Sequence, residues 1–127
     1  MDPKAMYKLS YGLFILTARE KDKDNGCIVN TVTQVTTQPN RITVAVNKQS
    51  YTCGMILRTG LFNVSVLSEQ SKFNTYKHWG FQSGAAVDKC ESIDYKRAIN
   101  GVIYLTEQCN AFLCAKVVSS TDLGTHI

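Results

Sequence analysis

The stretch from Asn30 to Thr52 concentrates the hydrogen-bonding chemistry of this chain. Asn30, Thr31, Thr33 and Gln34 surround Val32 in one run. Asn47, Lys48, Ser50, Tyr51 and Thr52 follow a second run after Pro39. A hydrophobic core has no use for so many hydroxyls and amides, because each buried polar group must find a partner. A ligand that is both anionic and ring-bearing does. In a strand, Asn30, Val32 and Gln34 share one face while Thr31, Thr33 and Val35 share the other. The same composition also suits a solvent-exposed edge strand, since threonine favours strands in any case. The segment Asn47–Thr52 leaves a strand and begins a helix, which makes Ser50 or Thr52 a natural N-cap. Backbone N–H groups at a helix start, a hydroxyl and Lys48 together suit a phosphate, although many helix starts of this composition bind nothing.

Other chemistries find less support. No acid–base pair or triad stands out, and no catalytic residue is assigned. His78, beside Trp79, reads as a surface residue at a helix end. The five cysteines, Cys27, Cys53, Cys90, Cys109 and Cys114, are odd in number and include no CxxC pair. No histidine lies near enough in sequence to Cys109 and Cys114 for a finger-like zinc site. They read as free thiols in a reducing compartment, without a metal site, and the expected location is the cytoplasm. The net charge of +4 is mild. Lys21 and Lys23 alternate with Glu20, Asp22 and Asp24, and no basic cluster is interleaved with aromatics, which argues against nucleic acid. No run approaches the roughly 18 apolar residues of a membrane-spanning helix.

The elements that must position these residues are mostly strands. The chain of 127 residues, 44% hydrophobic and 19% charged, is sized for one domain with one core. Residues 7–18 close in an apolar β-rich run. The charged loop 19–25 ends in Asn25-Gly26, a tight-turn signal that makes Cys27–Thr36 the hairpin partner of the first strand. Arg41–Asn47 is a further strand. Thr52–Thr59 reads as a short helix with Gly60 at its C-cap. Phe62–Leu67 is a strand, 70–78 a second short helix, and 82–98 polar and irregular. Strands at 101–106 and 110–119 follow, joined by Glu107-Gln108, and the tail 121–127 stops as another strand begins. At least six strands without a βαβ rhythm predict an antiparallel barrel or sandwich.

Several segments resemble the flavin-reductase-like, FMN-binding split-barrel family. They are Asn25-Gly26-Cys27-Ile28-Val29-Asn30-Thr31-Val32-Thr33-Gln34-Val35-Thr36 with Pro39, Ile42–Lys48, Gly60–Leu67 and Phe81–Lys89. The similarity covers residues 7 to 126, and is nearest to flavoredoxins and the flavin reductase domains attached to rubredoxin. It implies a mainly β fold, a six-stranded antiparallel split barrel with short helices, formed by a single domain over 1–127. That domain would lack its C-terminal strand, because the family continues past Ile127. It also implies FMN as cofactor and a homodimer with the flavin near the subunit interface. Carried over by position, Asn30, Thr31, Val32, Thr33 and Gln34 face the isoalloxazine ring and ribityl chain. Asn47, Lys48, Ser50, Tyr51 and Thr52 hold the phosphate and its approach, and Trp79 lies near the ring or the partner subunit.

The implied activity is an oxidoreductase that passes electrons between NAD(P)H, or a redox protein such as rubredoxin or ferredoxin, and flavin or an acceptor. An electron carrier without NAD(P)H activity and a non-catalytic split-barrel module are the alternatives. Ala85-Ala86 stands where family members often carry Arg-Asp, which bears on direct use of a nicotinamide nucleotide.

Overall fold

The computed structural model describes residues 3–10, 12–68, 78–79, 94–107 and 109–127. After a 3-10 helix at Pro3–Lys8 come β1 (Phe14–Glu20), β2 (Lys23–Val29), β3 (Val32–Thr37), β4 (Asn40–Val44) and α1 (Tyr51–Thr59). They are followed by β5 (Leu61–Leu67), β6 (Tyr95–Arg97), β7 (Ile103–Leu105) and β8 (Cys109–Lys116). One sheet has the order β2-β1-β5-β8, and β3–β4 and β6–β7 form two separate hairpins. Every strand pairing is antiparallel. The mainly β, antiparallel architecture is the expected one, but eight strands are seen among the described residues instead of six. The expected strand Cys27–Thr36 divides because Val29 is the last residue of β2 with a β1 partner, Phe14. Past it the chain leaves the sheet and pairs with β4. Within the stretch expected to be irregular, Tyr95–Arg97 forms β6. The helix expected at 70–78 and the Phe81–Lys89 segment lie outside the described residues, apart from His78.

The first hairpin corrects the turn. Glu20 pairs with Lys23, so the two-residue turn is Lys21-Asp22, both at positive φ (50° and 66°). Paired positive φ values match the twist of a tight hairpin. Asn25 and Gly26 instead sit inside β2 opposite Ala18 and Thr17. Burial fixes this register, since a one-residue slip would turn Cys27 and Val29 out of the core. Gly26 is required for a packing reason. A Cβ there would lie 2.7 Å from Trp79 Cζ3 and 2.9 Å from the Leu16 carbonyl oxygen.

Strand β1 is buried on both faces. Leu16 and Ala18 join Cys27, Val29, Cys53, Met55, Ile56, Phe62 and Val64 in the larger core cluster under α1. Ile15 faces the other way, into a cluster with Trp79, Ile103 and Leu105. Between β1–β5 and β7 runs a buried polar seam. The Thr17 hydroxyl donates to the Ile103 carbonyl (2.7 Å), Asn63 Nδ2 donates to the Val102 carbonyl (3.0 Å), and the Leu105 N–H donates to Ser65 Oγ (3.1 Å). Satisfied in this way, polar residues are tolerated in the interior.

Helix α1 buries Thr52, Cys53, Met55 and Ile56, the spacing of one helical face. It ends where expected, at Gly60 with φ 76°, whose N–H bonds the Ile56 carbonyl. Ion pairs fasten the periphery. Asp24, only 11% exposed, accepts from Arg97 (2.9 Å) and Arg19 (3.2 Å), which links the β6–β7 hairpin to the first. Arg58 reaches Glu20 at 2.6 Å. At the other end of the chain, Val46 and Ile127 exchange backbone hydrogen bonds at 2.9 Å, and the Lys48 N–H bonds the Thr125 carbonyl at 3.0 Å. The last residues therefore run antiparallel beside Val46–Lys48.

Candidate functional site

Two pieces of exposed polar backbone come together beside α1. The Ala45 N–H bonds the Thr31 carbonyl at 3.2 Å, and the chain beyond β4 then runs into Val46–Lys48. That bond sets the Asn30-Thr31 segment beside the chain that leads from β4 to Asn47 and Lys48. Asn30, Thr31, Thr33, Gln34, Asn47 and Lys48 are exposed, while Val32, Ser50 and Tyr51 are half-buried. Val32 packs against the larger core cluster and anchors the strand that displays its polar neighbours. The Thr31 hydroxyl donates to Asn30 Oδ1 (3.1 Å). Gln34 Nε2 donates to the Thr36 carbonyl (3.3 Å) and Asn40 Oδ1 (3.4 Å) at a register shift between Gln34 and Thr36.

The helix start has the features of an anion seat. Asn47 Oδ1 accepts the Gln49 N–H at 2.9 Å, and the Ser50 N–H bonds the Asn47 carbonyl at 3.0 Å, so a tight turn delivers the chain to Ser50. Ser50 is the N-cap, with extended backbone (φ −65°, ψ 131°), yet its hydroxyl makes no capping hydrogen bond. The first turn of α1 contains no acidic residue. Positive partial charge at this end therefore meets no negative side chain from the helix itself. Lys23 Nζ lies 4.5 Å over the Tyr51 ring, which brings a second cation to the helix start.

Two of the expected site residues serve the core instead. Thr52 is fully buried, and its hydroxyl accepts Asn25 Nδ2 at 3.1 Å. Only its backbone N–H remains suited to a ligand at the helix start. Trp79 is 1% exposed and packs on Gly26 and Ile15 with its ring edge-on to His78. It is separated from the polar surface by β1 and β2, because an indole this large is stabilised more by burial than by an exposed contact.

One residue escaped the sequence reading. Asp122 Oδ2 accepts Lys48 Nζ at 2.6 Å, and Asp122 Oδ1 accepts the Gly124 N–H at 2.9 Å. Both bonds, the lysine's first, hold its carboxyl below the usual carboxylate range. The Asp-x-Gly spacing of Asp122 and Gly124 is a turn signal of the Asx type, but its pairing with Lys48 depends on a strand contact that sequence does not display. Burial, and to a lesser degree the nearby Cys27, pushes the Cys53 thiol up against an opposing pull from Lys48. A buried thiol shifted in that direction is a poor nucleophile. Among the described residues no group of three histidine, cysteine or acidic side chains gathers to hold a metal, and no helix is long and apolar enough to cross a membrane.

A mainly β, antiparallel domain that presents hydroxyls, amides and a lysine beside one helix start has the architecture of a split-barrel flavin protein. Residues 6–127 match the family model described as the flavin reductase like domain, and the chain belongs to that family. It is 40% identical over 126 residues to a high molecular weight rubredoxin of Moorella thermoacetica, covering 99% of this chain and 55% of that protein. It is 37% identical to a ferric-chelate reductase (NAD(P)H) of Archaeoglobus fulgidus, covering 99% of this chain and 75% of the relative. Among solved structures, flavoredoxin from Methanosarcina acetivorans superposes with a TM-score of 0.81 at 25% identity, covering 91% of this chain and 62% of that one. The chain thus spans little more than half the length of the rubredoxin relative.

Proposed function

We propose that this chain is a single-domain FMN-binding oxidoreductase of the flavin reductase type. The observation that carries the reading is the Ser50 hydroxyl, left unused by its own helix, beside Lys48 at a helix whose first turn contains no acidic residue. A phosphate takes oriented N–H groups, a hydroxyl and a cation in charge-assisted hydrogen bonds. Lys48, Ser50 and the N–H groups of Tyr51 and Thr52 would hold it, with Asn47 shaping the turn. The segment from Asn30 to Gln34 would border the ring and ribityl chain through backbone groups as well as side chains, since Thr31 and Thr33 lie on the opposite strand face from Asn30, Val32 and Gln34. Bound FMN supplies the electron-accepting ring. The chain's own residues orient it, donate hydrogen bonds to its polar edge and neutralise its tail. No acid–base pair is required of the protein for that division of labour, and neither Thr52 nor Trp79 contributes a side chain.

The names of the relatives support two electron donors. The ferric-chelate reductase is named for NAD(P)H use, and the other relative for rubredoxin. We favour NAD(P)H as donor, with a rubredoxin- or ferredoxin-like protein as the alternative. A homodimer is supported by apolar side chains left exposed along β8 and beyond it, with Phe112 40% and Leu113 42% exposed. Its described free thiols suit a reducing cytoplasm. The test is to follow NADH and NADPH oxidation by purified protein with and without added FMN. Flavin-dependent consumption well above the free-flavin rate is expected. A yellow protein reduced only by dithionite or a reduced redox protein would favour the carrier, and a colourless one that leaves FMN fluorescence unchanged would refute flavin binding.

A further inference from the structure

The cation at the proposed phosphate seat already has an anion. Lys48 belongs to the stretch that pairs with the tail, through the bond from its N–H to the Thr125 carbonyl and the bridge between Asn47 and His126. That pairing brings Asp122 opposite Lys48. The carboxylate is held from two sides, by Lys48 Nζ at 2.6 Å and by the Gly124 N–H at 2.9 Å. The bond from the Leu123 N–H to the His126 carbonyl at 2.8 Å closes the turn that carries it. Asp122 is therefore positioned by backbone geometry, not merely by a flexible side chain drifting toward a lysine. Both partners reach water, with side chains 38% and 61% exposed, so the pair is weak enough to be displaced.

We propose that Asp122 sets how tightly the flavin phosphate is held by competing with it for Lys48. This rests on the assignment of Lys48 and Ser50 to the phosphate. An incoming dianion must displace the carboxylate or share the ammonium with it at close range, and both routes cost binding. A neutral flavin such as riboflavin does not use Lys48 and is indifferent to Asp122. The competing carboxylate thus loosens the hold on the phosphate tail without abolishing it. Asp122 thereby acts on affinity for the ligand's charge, without touching the ring.

Isothermal titration of the full chain with FMN and with riboflavin tests this, using wild type, Asp122→Asn, Lys48→Ala and the double variant. Asparagine keeps an acceptor for the Gly124 N–H, so the turn survives, and an unchanged melting temperature verifies it. Asp122→Asn is expected to tighten FMN about three- to fivefold, the scale of an exposed ion pair. Riboflavin should stay unchanged, and the gain should vanish when Lys48 is alanine. Weaker or unchanged FMN binding in Asp122→Asn, or an equal gain for riboflavin, would overturn the proposal. Wild-type protein that holds FMN no more tightly than riboflavin would instead refute the phosphate assignment beneath it, and the proposal with it.

Discussion

The hairpins β1–β2 and β3–β4 share a connectivity and differ in almost everything else. In the first, Ile15, Leu16, Thr17 and Ala18 are buried in succession; Asn25, Gly26 and Cys27 are buried opposite the last three, and Val29 is buried opposite Phe14. In the second no residue is buried. The first is clamped between α1 on one side and Trp79 with β7 on the other. Among the described residues, the second touches the larger core cluster through Val32, Ile42 and Val44. Burial spends side chains on packing, and exposure frees them for a ligand. One chain thus uses the same motif once as scaffold and once as a polar display, and the two should respond to substitution in opposite ways.

The largest effect is expected in the scaffold. Trp79→Ala removes an indole that contacts Gly26 and Ile15, and should lower stability by about 3–5 kcal/mol in urea unfolding. The preference for FMN over riboflavin should persist in whatever fraction remains folded. A loss of flavin affinity with stability intact would return Trp79 to the ligand.

Asp24 offers a smaller and pH-dependent break. Burial alone would raise its carboxyl, but hydrogen bonds and charge from Arg97 and then Arg19 outweigh burial and hold it below the ordinary value. A depressed folded pKa stabilises the fold above the unfolded pKa of about 4, and that contribution is lost as pH falls through the folded value. Asp24→Asn should therefore cost about 1 kcal/mol near neutrality. Its melting temperature should converge with that of the wild type under acid. Parallel pH profiles for the two proteins would show that the Arg19–Asp24–Arg97 link does not fasten the hairpins.

In the second hairpin the sign of the trade reverses. Thr33→Ala with Gln34→Ala should change stability by no more than about 0.5 kcal/mol. It should weaken FMN and riboflavin alike, about fivefold for each hydrogen bond lost to the ring or ribityl chain. Unchanged affinity for both flavins would leave β3 as an ordinary exposed strand.

The same contrast explains what could be read from sequence. Helix α1 with its Gly60 cap and strands β4, β5 and β8 follow local periodicity and end signals, and all lie close to their expected positions. The Asn25-Gly26 turn does not, because turn propensity is local whereas the register of β2 is set by contacts with β1, α1 and Trp79. The buried places of Thr52 and Trp79 have the same origin. A hydroxyl at a helix start and an aromatic near a glycine look equally suited to ligand or core until the packing partner, Asn25 or Gly26, is known. Asp122 was hidden for a related reason, since its partner Lys48 lies far away in sequence and meets it only through strand pairing.

The central claim is that a phosphate sits at Lys48, Ser50 and the start of α1. Its most direct test is to compare FMN and riboflavin dissociation constants in wild type and in the Lys48→Ala, Ser50→Ala double variant. We predict that FMN binding weakens about 10- to 100-fold, the scale of one or two charge-assisted hydrogen bonds, while riboflavin binding changes less than threefold. Equal losses for both flavins, or none for either, would contradict it.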